Sequence, residues 1–307
     1  MTSAVVFAYH NVGARCLEVL LRHGVDVPLV VTHVDDPAET LWFDRVANVA
    51  AAHGLPCITP SDPNAIDVFA RVRELRPDFL FSFYYRRMLS PAMLALAAQG
   101  ALNMHGSLLP KYRGRAAVNW AILKGERETG ATLHYMTDKP DAGDIAAQTA
   151  VPILPDETAR EVFDKVTAAA ASTLDRVLSH LIAGDAPRLP QDLNAGSYFG
   201  GRKPEDGRID WTRRAREIHN LVRAVAPPFP GAFTTFEGET LRVLRTRVDD
   251  DAVPPGPVRL YGDRARWLAE CGGGGRLEIL AAELAGVPVD PAAMAKRLSG
   301  GETGLAR

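Results

Sequence analysis

The first hundred residues alternate between short apolar runs and longer stretches of helical periodicity, and that alternation limits the fold more than any other feature. Apolar runs at 3–8, 28–33, 56–59, 78–84 and 100–105 read as strands. Helical patterns lie between them: 14–22, stopping at Gly24 after a loop through Asn11 and Gly13; 41–53, ending at His53-Gly54; 64–76; and 91–98. Strands separated by helices of this length are βαβ units, so the expected architecture is α/β with a mainly parallel sheet.

A capping box, Thr158-Ala-Arg-Glu161, opens a helix whose apolar face carries Val162, Phe163, Val166, Leu174, Val177, Leu178, Leu181 and Ile182. Gly184 ends it, and 185–207 is rich in Pro, Gly, Asn and Asp, the composition of a linker. A helix near 212–225 follows, then short strands at 232–236, 240–247, 257–261, 264–270 and 276–283. Together they suggest a small β-barrel-like domain. The Gly272–Gly275 run has no strand–loop–helix context and no lysine, so it reads as a hairpin turn and not as a phosphate loop. The organisation expected is a first domain at 1–184, a linker at 185–207 and a second domain at 208–307. A length of 307 residues suits two domains.

The formal net charge of −2 supplies no global field favouring nucleic acid or an anionic membrane. The N-terminus lacks a basic leader, and no run of about 18 apolar residues is present to span a bilayer. Three scattered cysteines, Cys16, Cys57 and Cys271, suit reduced thiols and a cytoplasmic location. None of the eight histidines has zinc-ligand spacing, so no metal is expected.

The chemistry concentrates in 100–145. In a strand, residues two apart share a side, so Asn103 and His105 project together, and Gly106 ends the strand. Ligands of open α/β sheets bind at the carboxyl ends of strands. An amide donor beside an imidazole suits oxyanion stabilisation and proton handling. Asp141, in the turn Pro140-Asp-Ala-Gly-Asp144, could orient the ring. Spacing alone leaves the plainer alternative open: Asn-x-His is also a common satisfied polar pair, and Asp141 and Asp144 can simply close a turn. Tyr9, His10 and Asn11 follow the first strand and face the same ligand edge. No Gly-x-Gly-x-x-Gly follows that strand, which disfavours a dinucleotide site. Lys111, Arg113 and Arg115 suit phosphate oxygens or form a solvated basic loop. Trp120 reads as core.

Asn103-Met-His105-Gly-Ser-Leu-Leu-Pro110-Lys-Tyr-Arg-Gly114, followed by Asp141-Ala-Gly-Asp144, resembles the signature of the 10-formyltetrahydrofolate-dependent formyltransferases. The likeness extends to Phe81-Ser-Phe-Tyr-Tyr-Arg86, Ile209-Asp-Trp211 and Arg223-Ala-Val-Ala-Pro-Pro-Phe-Pro-Gly-Ala232, weakening after about Asp249. Phe7-Ala-Tyr-His10, Arg113-Gly-Arg115, Asn119-Trp120 and Phe199-Gly-Gly-Arg202 look most like the ArnA-type branch, which acts on UDP-4-amino-4-deoxy-L-arabinose. One departure is Ala117, where that branch usually has Pro.

The resemblance implies a Rossmann-like sheet followed by an OB-like domain, with 10-formyltetrahydrofolate as co-substrate. Asn103 and His105 would stabilise the oxyanion, while Asp141 would hold His105 and help remove the amine's proton. Arg87, Met88 and Leu89 would line the folate slot with Thr137, Asp138, Lys139, Pro140 and Asp141, and Arg115 would lie nearby. Arg202 would reach a UDP-amino-sugar substrate. The product would belong to lipid A modification, the route to polymyxin resistance, with a separate decarboxylase as a possible pathway partner. Methionyl-tRNA formyltransferase, or a formyltransferase for another amino-sugar nucleotide, is the alternative. A tRNA partner asks for a basic footprint, yet 203–307 holds 16 Lys+Arg against 15 Asp+Glu, and 1–202 holds 19 against 22.

Overall fold

The computed structural model describes residues 1–37 and 41–299. Residues 300–307 of the expected second domain lie outside them. Close contacts divide the chain into two units. The first comprises Met1–Ala117, Glu128–Pro152 and Asp164–Gly200; the second comprises Val118–Arg127, Ile153–Phe163 and the chain from Gly201 onward. The segment 185–200, whose composition reads as linker, lies within the first unit.

The elements of the first unit begin with β1 (Ser3–Ala8), α1 (His10–Arg22), β2 (Asp26–Val31), α2 (Val46–Ala52), β3 (Cys57–Ile58), α3 (Ile66–Leu75), β4 (Phe79–Phe83), α4 (Pro91–Leu94), β5 (Gly100–His105) and β6 (Arg113–Gly114). After α5 (Ala117–Leu123), which apart from Ala117 belongs to the second unit, come β7 (Glu128–Tyr135), β8 (Ile145–Pro152), the long α6 (Ala159–Ala183), whose first five residues also belong to the second unit, and β9 (Tyr198–Phe199). A seven-stranded sheet has the order β3-β2-β1-β4-β5-β7-β8. Its first five strands are parallel, as the alternating pattern predicts, and β7 and β8 are antiparallel. The chain moves outward from β1 to β3 and then returns to the other side of β1, so the order reverses between β1 and β4, where open α/β sheets bind ligands.

Strands β1 and β4 are buried almost throughout, as expected for strands covered on both faces. Alternate residues Phe79, Phe81 and Phe83 stack along one face of β4 at 5.6 and 5.4 Å. Helix α1 begins at His10, four residues before the periodicity suggests. Gly13 looks like a breaker in sequence, but it is a packing position: a Cβ there would lie 3.0 Å from Val46 and 3.2 Å from the Phe83 carbonyl.

In the second unit, α7 (Ala215–Val225) precedes β10 (Ala232–Phe236), β11 (Glu239–Asp250), β12 (Arg259–Asp263), β13 (Arg266–Glu270), β14 (Arg276–Leu284), β15 (Val287–Val289) and α8 (Pro291–Leu298). These strands form an antiparallel sheet ordered β10-β11-β14-β13-β12, with β15 also on β14. The Gly272–Gly275 run is the turn between β13 and β14, as its context suggests. Trp267, Phe236, Leu277 and Ile279 are fully buried in one core with Ile218 and Val222 of α7 and Met294 and Leu298 of α8. The last helix, α8, is an element the sequence pattern did not disclose. Among the described residues, no helix is long and apolar enough to cross a membrane.

Candidate active site

Asn103 and His105 stand two residues apart at the end of β5, on the same side of the strand. His105 is 8% exposed, and its Nε2 lies 2.8 Å from the carbonyl oxygen of Tyr112. Since a carbonyl only accepts, this nitrogen carries the hydrogen. The other ring nitrogen, Nδ1, is 3.5 Å from Asp141 Oδ1. Asn103 Nδ2 is also 3.5 Å from that oxygen. Asn103 and His105 therefore converge on the carboxylate of Asp141, the third residue singled out from the sequence.

Asp141 reaches this point through a left-handed backbone conformation, φ 52°. Its second oxygen, Oδ2, accepts the Gly114 N–H at 2.8 Å. Burial opposes its ionisation, but His105, His134 and the Gly114 amide together hold the carboxyl well below the usual carboxylate range. Gly114 has φ 97°, and a Cβ there would fall 2.1 Å from the Phe199 carbonyl oxygen, so only glycine brings this amide to Asp141.

The loop from Gly106 to Pro110 is fixed from the neighbouring hairpin. Thr132 donates to the Ser107 carbonyl at 2.6 Å and accepts the Leu109 N–H at 3.2 Å, while Gln148 donates to the Leu109 carbonyl at 2.8 Å. Among the described residues, no group of three His, Cys, Asp or Glu is placed to hold a metal ion.

Two family models match the chain: formyl transferase over residues 6–178, and formyl transferase, C-terminal domain, over residues 202–298. The chain belongs to the formyl transferase family. Among solved structures, an N-formyltransferase from Helicobacter canadensis in complex with folinic acid and dTDP-3-aminofucose is similar in fold. It has a TM-score of 0.74 at 20% identity, over 91% of this chain and 99% of that one. WlaRD, a sugar 3N-formyl transferase crystallised in the presence of dTDP and 5-N-formyl-THF, gives 0.71 at 18% identity, over 91% and 97%. HypX from Aquifex aeolicus, in complex with tetrahydrofolic acid, gives 0.62 at 18% identity, over 96% of this chain and 47% of that one.

In this formyl transferase the folate-slot residues suggested by resemblance fall on two loops. Arg87 and Met88 are exposed and Leu89 is buried, on the loop after β4. That loop is pinned from two sides. His33 Nε2 accepts the Arg86 N–H at 3.0 Å; Asn64 donates to the Met88 carbonyl at 3.0 Å and accepts the Ser90 N–H at 2.7 Å. Burial, then Arg86 and Arg87, push the His33 pKa down to about 4, keeping the ring neutral and able to accept. Arg115 joins the loop by donating to the Arg86 carbonyl at 3.4 Å. Thr137, Asp138, Lys139 and Pro140 are exposed on the second loop, where the Thr137 hydroxyl donates to the Lys139 carbonyl at 3.1 Å.

The residues suggested for the acceptor substrate have the following surroundings. Tyr9 and His10 are buried at the β1 edge: Tyr9 donates to Asp35 at 3.0 Å beneath the Arg86 guanidinium, and His10 stacks on Phe43 at 4.0 Å. Asn11 accepts the Asp44 N–H at 2.6 Å. Lys111 is exposed, and Arg113 donates to the Leu193 carbonyl at 3.5 Å. Arg202 belongs to the second unit, where its guanidinium lies 4.9 Å from the ring of Trp120, itself half-buried.

Several residues of the site escaped the sequence reading. His134 lies opposite Asn103 in the β5–β7 ladder, with its Nε2 3.1 Å from Asn103 Nδ2 and 3.5 Å from Asp141 Oδ1. The signal was the alternating run 128–135, whose antiparallel return along β5 the parallel pattern upstream concealed. The segment 185–200 supplies the others. Gln191 donates to the carbonyls of Asp141 and Gly143 at 3.1 and 2.5 Å, Ser197 accepts the Tyr112 N–H at 2.8 Å, and β9 pairs with β6. Polar composition looked like linker because these groups bond to loops and not to a regular ladder.

Proposed function

We propose that this formyl transferase moves a formyl group from 10-formyltetrahydrofolate to the 4-amino group of UDP-4-amino-4-deoxy-L-arabinose. The observation that carries formyl transfer to an amine is the convergence of Asn103 and His105 on the Asp141 carboxylate at the carboxyl end of β5. The folate supplies the electrophilic formyl carbon. Asn103 offers an amide where charge develops on the formyl oxygen, a contribution worth roughly 3–4 kcal/mol for one such donor. His105 is fixed in plane by Tyr112, and Asp141 holds it and helps to remove the amine's proton; as the new C–N bond forms, the bond from the formyl carbon to N10 breaks and the proton passes to N10, so that tetrahydrofolate leaves. The exposed loops carrying Arg87, Met88 and 137–140 are the proposed folate slot. Folate ligands with dTDP-3-aminofucose in one structure of similar fold and with dTDP in another support a nucleotide-linked amino sugar as acceptor. The ArnA-like segments support the arabinose sugar and, with it, the lipid A pathway.

The test supplies 10-formyltetrahydrofolate with UDP-4-amino-4-deoxy-L-arabinose, with dTDP-amino sugars and with methionyl-tRNA in parallel. A formylated UDP sugar and tetrahydrofolate release are expected. Transfer to tRNA or to a dTDP sugar would replace the acceptor, and formate release without any acceptor would make the enzyme a hydrolase.

A further inference from the structure

At the centre of the site, two histidine rings have matching environments. His105 gives its Nε2–H to the Tyr112 carbonyl at 2.8 Å, and His134 gives its Nδ1–H to the Tyr135 carbonyl at 2.9 Å. Those contacts select one tautomer for each neutral ring. The remaining nitrogen of each, Nδ1 of His105 and Nε2 of His134, lies 3.5 Å from the same oxygen, Asp141 Oδ1. One carboxylate therefore faces two rings, each with one proton acceptor left.

Nε2 of His134 also meets Asn103 Nδ2 at 3.1 Å. When that nitrogen is unprotonated, its partner must be a donor, so the amide turns Nδ2 inward and Oδ1 to the opposite side. An outward Oδ1 accepts an N–H, which suits an incoming amine, but it repels a developing oxyanion. A proton on Nε2 reverses the requirement. Oδ1 then turns inward to accept, giving up the longer 3.5 Å contact of Nδ2 to Asp141 Oδ1, and Nδ2 turns outward to donate where the formyl oxygen gains charge. The titratable group facing His134 is Asp141, from the loop beyond β7, whose Oδ1 is shared with His105; β5 places Asn103 opposite His134 and β8 places apolar Ile145 there.

We propose that His134 is a positioning residue whose proton decides which end of the Asn103 amide faces the reacting carbonyl. This rests on the proposed role of Asn103 in formyl transfer. His134 thus links proton movement to the appearance of the oxyanion donor, a task Asn103 and Asp141 do not perform without it.

The experiment pairs steady-state kinetics of H134Q with nitrogen NMR spectra of histidine-labelled, full-length wild type and N103A. Glutamine meets Asn103 as either donor or acceptor but takes up no proton. H134Q is expected to lower kcat about 10²-fold, to leave both KM values within about threefold, and to remove one ionisation from the kcat profile. In the spectra, neutral His134 is expected to carry its hydrogen on Nδ1, and its titration is expected to move in N103A. A wild-type kcat and pH profile in H134Q would overturn the proposal. So would an Nε2–H tautomer, or a His134 titration indifferent to N103A. The spectra report without turnover, so they decide the proposal even if H134Q does not fold. A missing formyl acceptor would count against the proposed function alone.

Discussion

Asp141 accepts its site at the cost of burial and recovers it from two imidazoles and one backbone amide. Because its folded pKa is lowered, it stabilises the fold fully above the unfolded value of about 3.9, and that contribution is lost as pH falls below it. In Asp141→Asn the acid-side fall of the thermal midpoint is therefore expected to shrink, and kcat/KM to drop about 10²–10³-fold; melting curves across pH and rates at neutral pH check both. His33 follows the same sign for a different reason. Its folded pKa, about 4, lies below the unfolded 6.5, so the unfolded chain takes up a proton that the fold refuses. Stability should fall as pH drops from 6.5 towards 4, and His33→Gln should flatten that fall. Asn103, His105 and Asp141 were legible because they sit in one contiguous signature. His134 was not, because its role depends on a cross-strand pairing that no local pattern encodes.

At the level of elements, the five parallel strands could be read because each is a buried apolar run, whereas the β7–β8 hairpin was hidden by polar positions such as Thr132, His134 and Gln148 that face the site. The segment 189–199 misled for a related reason: its order comes from side chains bonded to loops. Gln191 is the clearest case, serving two carbonyls with one amide. Gln191→Ala should leave those carbonyls without a donor, which costs roughly 1–3 kcal/mol for a buried group. Much of that loss should appear as lower kcat through a displaced Asp141 and less as lower stability. Kinetics beside denaturant titration would separate the two, and an unchanged kcat would show that the loop holds Asp141 without this residue.

Considered as a whole, the chain is interleaved: 118–127 and 153–163 belong with the C-terminal sheet, although more than a hundred residues of the first unit surround them in sequence. Buried bonds join these inserts to α7. Arg223 donates to the carbonyls of Leu154 and Glu157 at 3.3 and 3.2 Å, His219 meets the Pro155 carbonyl at 2.9 Å, and Asn119 donates to the Ala224 carbonyl at 2.7 Å. Residues 201–307 expressed alone should therefore be less stable than the same residues in the whole chain, because α7 loses its buried hydrogen bonds to Leu154, Pro155, Glu157 and Asn119, each worth about 0.5–1.5 kcal/mol; calorimetry of that fragment beside the whole chain is the check. Composition could not disclose this, since a boundary read from Pro and Gly marks where the chain turns and not which pieces pack together. The arrangement also sets a timetable for synthesis. Ile122 and Val162, both fully buried in the finished protein, leave the ribosome before the strands and helix of their own unit exist. At about 5–20 residues per second, the stretch after Val162 takes roughly 7–30 s to emerge. For that interval the nascent polypeptide presents greasy segments to the cell, and a holding chaperone has a defined window in which to find them.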